Sequence, residues 1–309
     1  MLIPALLLAG VGGGAYAVRR LVTRRAEEES GARLDAGADG IVRGAEPIAL
    51  RGSGPHGVLL LHGLGDTPQT LGYLAADLHR RGFSVRAPLL PGHGRSLREF
   101  AASRAAQWTD AARSAYVALC EEHSRVGLVG LSMGGALASI VAAERDDVPA
   151  LVLLAPYLGV PPIVRWLGRA HPIWDPVVPY VRGRGEESVQ DESERPRSRA
   201  YGYFTARLLR ELALVVEQAT VALPRIAAPT LLIQSRHDNR ILPEVAEGAF
   251  ARLGSAEKRL VWTEGGAHII TVDFGRERVF ELTADWLESH MLIPARAPPR
   301  RTTHDAVDT

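Results

Sequence analysis

Five residues, Gly130-Leu131-Ser132-Met133-Gly134, constrain this chain more than any others. They read Gly-x-Ser-x-Gly, and their flanks give the pattern a mechanical meaning. Val126-Gly127-Leu128-Val129 before them is a short apolar run, which predicts a buried strand. Gly135 to Ala143 after them is alanine-rich, which predicts a helix. A serine between strand and helix must occupy a sharp, strained turn that lifts its hydroxyl clear of the sheet. Glycines two residues to either side leave room for that turn, because a Cβ there would crowd the neighbouring backbone. The helix begins under the serine, so its free N–H groups face any negative charge forming there. Ser132 is the expected nucleophile.

The rest of the chain repeats the strand-and-helix alternation. Gly57 to Leu61 is an apolar run ending at His62-Gly63, and Pro68 to Arg81 has helical spacing, with Leu71, Leu74, Ala75 and Leu78 on one face. Phe83 to Leu89 is strand-like and stops at Pro91-Gly92-His93-Gly94. A helix over Ala105 to Glu122 precedes the serine's strand. Ala150 to Leu154, Thr230 to Gln234 and Arg259 to Trp262 are further apolar runs, and Arg276 to His290 closes with a helix. The order predicts an α/β fold: a mostly parallel sheet with helices on both faces. Sites in such sheets form at the carboxyl ends of the strands. His62-Gly63, Ser132, Asp238 and His268 all follow a predicted strand directly.

A serine hydroxyl needs a base beside it, and the base needs a carboxylate to fix its tautomer and stabilise its charge. His268, in Gly265-Gly266-Ala267-His268, is the candidate base; its small neighbours let an imidazole approach another strand end. Asp238, just beyond the run Thr230 to Gln234, is the candidate carboxylate. His237 is read as a loop residue, and Asp273 follows His268 too closely to be its partner. The developing oxyanion needs N–H donors, and the backbone of Met133 and of Leu64 are the expected pair.

The motifs Leu59-Leu60-Leu61-His62-Gly63-Leu64-Gly65-Asp66-Thr67-Pro68, Pro91-Gly92-His93-Gly94 and Gly130 to Gly135, with Asp238 and His268, resemble the small microbial carboxylesterases and monoacylglycerol lipases of the α/β-hydrolase superfamily. The resemblance covers roughly His56 to Leu292. It implies the α/β-hydrolase fold with a cap or lid insertion, and hydrolysis of carboxylic esters of hydrophobic acyl chains with neither cofactor nor metal. It also implies a structural role for His93. Ser235 is a departure, since these proteins often carry glycine before the acid. Acyl transfer to another acceptor, or thioester or amide cleavage, would use the same triad. A serine at this turn argues against dehalogenase and epoxide-hydrolase chemistry, where relatives use aspartate, and a filled triad argues against a mere binding protein.

The segment Pro156 to Pro224 breaks the alternation and is expected to be the lid. Its apolar members Trp166, Ile173, Trp174, Val177, Val178 and Tyr180 are poor choices for a solvated loop, and Trp166, Trp174 and Tyr180 are the candidate substrate-binding residues. A charged stretch, Arg182 to Arg199, follows them.

The chain of 309 residues is 46% hydrophobic with a net charge of +1, which suits one large domain with a real core and does not suggest a nucleic-acid partner. A single cysteine, Cys120, excludes an intrachain disulfide, and no metal-ligand cluster stands out. Leu2 to Val18 carries no charge and is followed by Arg19, Arg20, Arg24 and Arg25. Residues 1–25 are therefore expected to form a membrane anchor with the enzyme on the cytoplasmic side. The rival readings are a cleaved signal peptide, with Ala15-Tyr16-Ala17 as a small-residue cleavage site, and a soluble cytoplasmic protein with a loose terminus. Residues 26–45 read as a polar linker, residues 46–292 as the hydrolase domain, and residues 293–309 as a disordered tail.

Overall fold

The computed structural model describes residues 2–175, 178–183 and 185–292. Its strands, in chain order, are β1 (Ile48–Leu50), β2 (His56–Leu61), β3 (Ser84–Ala87), β4 (Arg125–Leu131), β5 (Leu151–Leu154), β6 (Val181–Arg182), β7 (Tyr203–Phe204), β8 (Thr230–Ser235) and β9 (Lys258–Thr263). Seven of them form one sheet in the order β1-β3-β2-β4-β5-β8-β9. Only β1 runs antiparallel to its neighbour; the other pairings are parallel. The central strands are continuous apolar runs, Val58 to Leu61, Val126 to Leu131 and Leu151 to Leu154, because both faces are covered. This is the α/β-hydrolase arrangement.

The helices are α1 (Leu2–Arg33), α2 (Gly72–Arg80), α3 (Leu97–Ala102), α4 (Ala105–Glu122), α5 (Met133–Ala143), α6 (Pro162–Arg169), α7 (His171–Trp174), α8 (Ala206–Ala222), α9 (Pro243–Arg252) and α10 (Arg276–Met291). Alternation of strand side chains divides the core. Leu59, Leu61 and Leu128 face the layer containing α4, α5 and α8. Val58, Leu60, Val129 and Val152 face α2 and α10.

The linker expectation for residues 26–45 does not match the structure. α1 continues to Arg33, and Ala26, Ser30 and Leu34, four residues apart, are all buried. Val42 and Ala45 are buried too, and Ala36 bridges Val42. Glu27 pairs with Arg98 at 3.5 Å, Tyr203 donates to Glu29, and Arg33 donates to the Ala200 carbonyl. The charges that made the segment read as solvated are its contacts with α3 and the lid.

Leu2 to Val18 lies within α1. Among the described residues no helix is long and apolar enough to cross a membrane. The tail 293–309 lies outside the described residues.

The insertion after β5 forms α6, α7 and the small two-stranded antiparallel sheet of β6 and β7. Its last helix, α8, starts at Ala206 and buries Leu212, Val215, Val216 and Ala219 within the core layer that includes α5. That helix is part of the body rather than of a mobile cover.

Candidate active site

The strand–turn–helix expectation at Ser132 has a measurable cost. Ser132 sits at φ 55°, ψ −119°, between β4 and α5. A non-glycine residue held there costs on the order of 1–3 kcal/mol, which the surrounding fold must supply. The two motif glycines explain themselves by distance. A Cβ on Gly134 would lie 1.9 Å from the Leu61 carbonyl oxygen, and one on Gly130 would lie 2.2 Å from that of Gly134. The neighbouring backbone of β2 and α5 fills the space a side chain would need.

The three sequence-predicted catalytic residues meet at this turn. Ser132 Oγ lies 2.8 Å from His268 Nε2, and His268 Nδ1 lies 2.9 Å from Asp238 Oδ2. Asp238 Oδ1 accepts the N–H groups of Arg240 and Ile241 at 2.7 and 2.9 Å, and Oδ2 accepts Gln234 Nε2 at 2.7 Å. Burial alone would raise the Asp238 carboxyl. The facing His268 and the two backbone donors outweigh it and hold the group below the usual carboxylate range. An ionised carboxylate behind Nδ1 keeps Nε2 free to accept a proton from the serine.

Ser235, the departure from the resemblance, is built into this arrangement. Its hydroxyl donates to the Gly266 carbonyl at 2.7 Å and accepts the His237 N–H at 3.0 Å. It thus ties the acid's loop to the histidine's loop. His62 is fully buried and neutral, its pKa lowered to about 4 by desolvation. Its Nδ1 donates to the Gly63 carbonyl at 2.9 Å while Nε2 accepts the Leu90 N–H at 3.1 Å, joining the end of β2 to the Pro-Gly-His-Gly loop. His93 is buried edge-on against His62, Phe100 and Trp108.

Leu64 shares the wall of the catalytic cavity with Ser132, and Met133 is the first residue of α5. The cavity holds about 470 Å³ and is overwhelmingly apolar. Of the three lid candidates, Trp174 lies in its wall, whereas Trp166 and Tyr180 do not. Trp166 stacks edge-on against Trp174 from outside and is 55% exposed. Tyr180 packs edge-on against Tyr203, beside α1. Val178 also lines the cavity, Ile173 does not, and Val177 lies outside the described residues.

The sequence reading missed Val164, Leu167, Phe204, Leu209 and Leu212 in the wall. Leu209 and Leu212 follow the periodicity of α8, so a helical wheel could have found them. Arg33, which also lines the cavity, comes from the end of α1, and no local signal foretold it.

A protein-family model described as serine aminopeptidase, S33, matches residues 55–274. The chain belongs to this family. It is 27% identical over 258 residues to the thermostable monoacylglycerol lipase of Bacillus sp. (strain H-257), covering 81% of this chain and 97% of that protein. It is 26% identical over 250 residues to a carboxylesterase of Bacillus subtilis (strain 168), covering 79% and 96%. Among solved structures, one reported for the metagenome-derived lipolytic enzymes LipS and LipT superposes with a TM-score of 0.74 at 31% identity, over 81% of this chain and all of that one. The family match begins after α1, so the helix that lends Arg33 to the cavity lies outside it.

Proposed function

We propose that the protein is a serine hydrolase of carboxylic esters with apolar acyl chains, of the monoacylglycerol lipase and carboxylesterase kind. Ser132 Oγ attacks the acyl carbon while His268 Nε2 takes its proton, and the ester alcohol leaves with that proton. Water then attacks the acyl-enzyme through the same histidine. Asp238 stabilises the imidazolium. The backbone N–H groups of Leu64 and Met133 are the donors to the oxyanion, a role supported by their places beside Ser132. The observation that carries the reading is a hydrogen-bonded Ser–His–Asp relay opening into an apolar cavity of about 470 Å³. The names of the relatives agree with it.

The test is a substrate panel: monoacylglycerols, p-nitrophenyl esters of increasing chain length and an aminoacyl anilide, with fluorophosphonate labelling alongside. Labelling at Ser132 and preferential turnover of esters are expected. Preference for the anilide would move the protein to peptide chemistry, and absence of labelling would remove the nucleophile.

Membrane association of a peripheral kind belongs to the same reading. The outer lid exposes Ile163, Trp166 and Ile173, at 61, 55 and 71%, a patch suited to lipid aggregates that present such esters. Co-sedimentation with vesicles that is lost in an Ile163→Ser, Ile173→Ser double variant is the check.

A further inference from the structure

His268 stands in a stretch with no regular structure. β9 ends at Thr263 and α10 begins at Arg276. Neither a sheet ladder nor a helix fixes the backbone between them, yet the imidazole must meet Ser132 and Asp238 to within tenths of an ångström. Beside the Ser235–Gly266 tie, the fixing gathers on one buried carboxylate. Asp273 is 1% exposed. Its Oδ2 accepts the N–H of Ala267 at 2.6 Å and of Gln190 at 2.8 Å, and its Oδ1 accepts the N–H of Phe274 at 2.9 Å and of Asp191 at 2.8 Å. Two of these donors belong to the histidine's loop and two to the base of the lid. Beside them the Ser188 carbonyl accepts the N–H of His268 at 3.1 Å and of Ile269 at 3.0 Å.

The same lid segment reaches the acid's loop. Ser188 Oγ accepts Arg240 Nε at 2.9 Å, and the Glu187 carbonyl accepts Asn239 Nδ2 at 2.6 Å. The glycines before His268 make room for this clamp. A Cβ on Gly266, which has φ +72°, would lie 2.8 Å from Asp273 Cβ, and one on Gly265 would lie 2.6 Å from the Phe274 carbonyl oxygen.

We propose that Asp273 is a positioning residue for the reaction, clamping the His268 loop to residues 187–191 of the lid base so that the histidine is in register only when that base is seated. The proposal rests on His268 being the general base. Asp273 touches neither substrate nor the reacting atoms, and it acts by satisfying four backbone donors at once. Asparagine has nearly the same shape but turns an NH₂ toward two of those N–H groups, so it breaks half the clamp.

The experiment compares Asp273→Asn with the parent on p-nitrophenyl acetate, a substrate too small to need the lid. Alongside, the low-field proton signal of the His268 Nδ1–H shared with Asp238 is followed by NMR. A misplacement of this kind is expected to lower kcat by ~10-fold or more with KM within about threefold, and to broaden or shift that proton. A folded Asp273→Asn enzyme with parental kcat and an unchanged low-field proton overturns the proposal. If Asp273→Asn does not fold, Asp191→Pro, which deletes one donor, is compared with Asp191→Ala, which keeps it. Loss of kcat in the proline variant alone supports the clamp, and equal activities of the two overturn it. His268→Ala separates the two levels. If it retains turnover, the assignment of the base has failed; if it is inactive while Asp273→Asn is normal, only the clamp has failed.

Discussion

The body and the outer lid of this molecule are built on opposite rules. In the body, apolar residues of the sheet are almost wholly buried, and the motif glycines admit no side chain at all. In the outer lid, Trp166 and Ile173 face solvent while Val164, Leu167 and Trp174 line the cavity, so a thin layer is apolar on both sides. The body is held by packing, which punishes any change of volume. The lid has little core of its own and draws its order from polar ties. Glu194, only 7% exposed, accepts Tyr73 and Arg276 from α2 and α10, and Tyr201 binds the Gly65 carbonyl through its N–H and the Pro-Gly-His-Gly region through its hydroxyl. Chemistry should therefore fail abruptly in the body and selectivity should drift gradually in the lid.

The sharpest break is expected at the nucleophile. Ser132→Ala should lower kcat by about 10³-fold or more while leaving the fold intact, because only binding and oxyanion stabilisation survive. Circular dichroism and steady-state kinetics on the same preparation check this. Near-parental turnover would end the assignment. Gly134→Ala asks the packing question at the same turn. With its Cβ 1.9 Å from a β2 carbonyl, the variant should lose folded yield as well as activity, a pairing that Ser132→Ala must not show.

The lid prediction is smaller and divides two residues that look equivalent in sequence. Trp174→Ala should shift the ratio of kcat/KM between butyrate and longer esters several-fold, since each methylene in the pocket is worth about 0.8 kcal/mol. Trp166→Ala, outside the wall, should leave that ratio within about twofold and act instead on vesicle binding. Equal shifts from both would mean that the lid samples another arrangement in solution.

This contrast also explains how much could be read from the residues alone. The triad was legible because each member follows an apolar strand, and strand ends in a parallel sheet converge on one edge. The glycines around Ser132 were legible because the turn forbids a Cβ. The lid was legible only as an interruption. Its aromatic residues announce burial or contact, but which side of a thin layer each one faces depends on long-range ties such as Glu194 to Arg276, which leave no periodic trace. The segment 26–45 misled for a related reason. Its charges are partners for Arg98 and Tyr203, and only the spacing of Ala26, Ser30 and Leu34 hinted at a packed face. Asp273 was set aside as a partner for His268, and its spacing gave no sign that four main-chain donors would gather on it.

The smallest expected effect concerns an exception within the body. Asp66 lies in the loop after Leu64, 5% exposed, on the wall of the catalytic cavity. Its Oδ2 accepts Thr70 Oγ1 at 2.7 Å, and its Oδ1 has no hydrogen-bond partner among the described residues. Desolvation raises its pKa from 3.8 to about 6. Between those values the native chain holds a proton that the unfolded chain has released. Stability from this residue is thus present below pH 3.8 and is lost as pH rises to about 6. His62 works in the opposite sense. Its pKa falls from 6.5 to about 4, so its contribution is present above pH 6.5 and is lost on acidification toward pH 4. The two slopes partly cancel in the wild-type melting curve, which hides both. Subtraction separates them, because His62 is common to both proteins. The difference in Tm between Asp66→Asn and wild type should be small near pH 4 and grow in favour of the variant until about pH 6, then level off. A Tm difference that is flat with pH, or that grows in favour of wild type, would mean that Asp66 is already ionised and paired in the native protein.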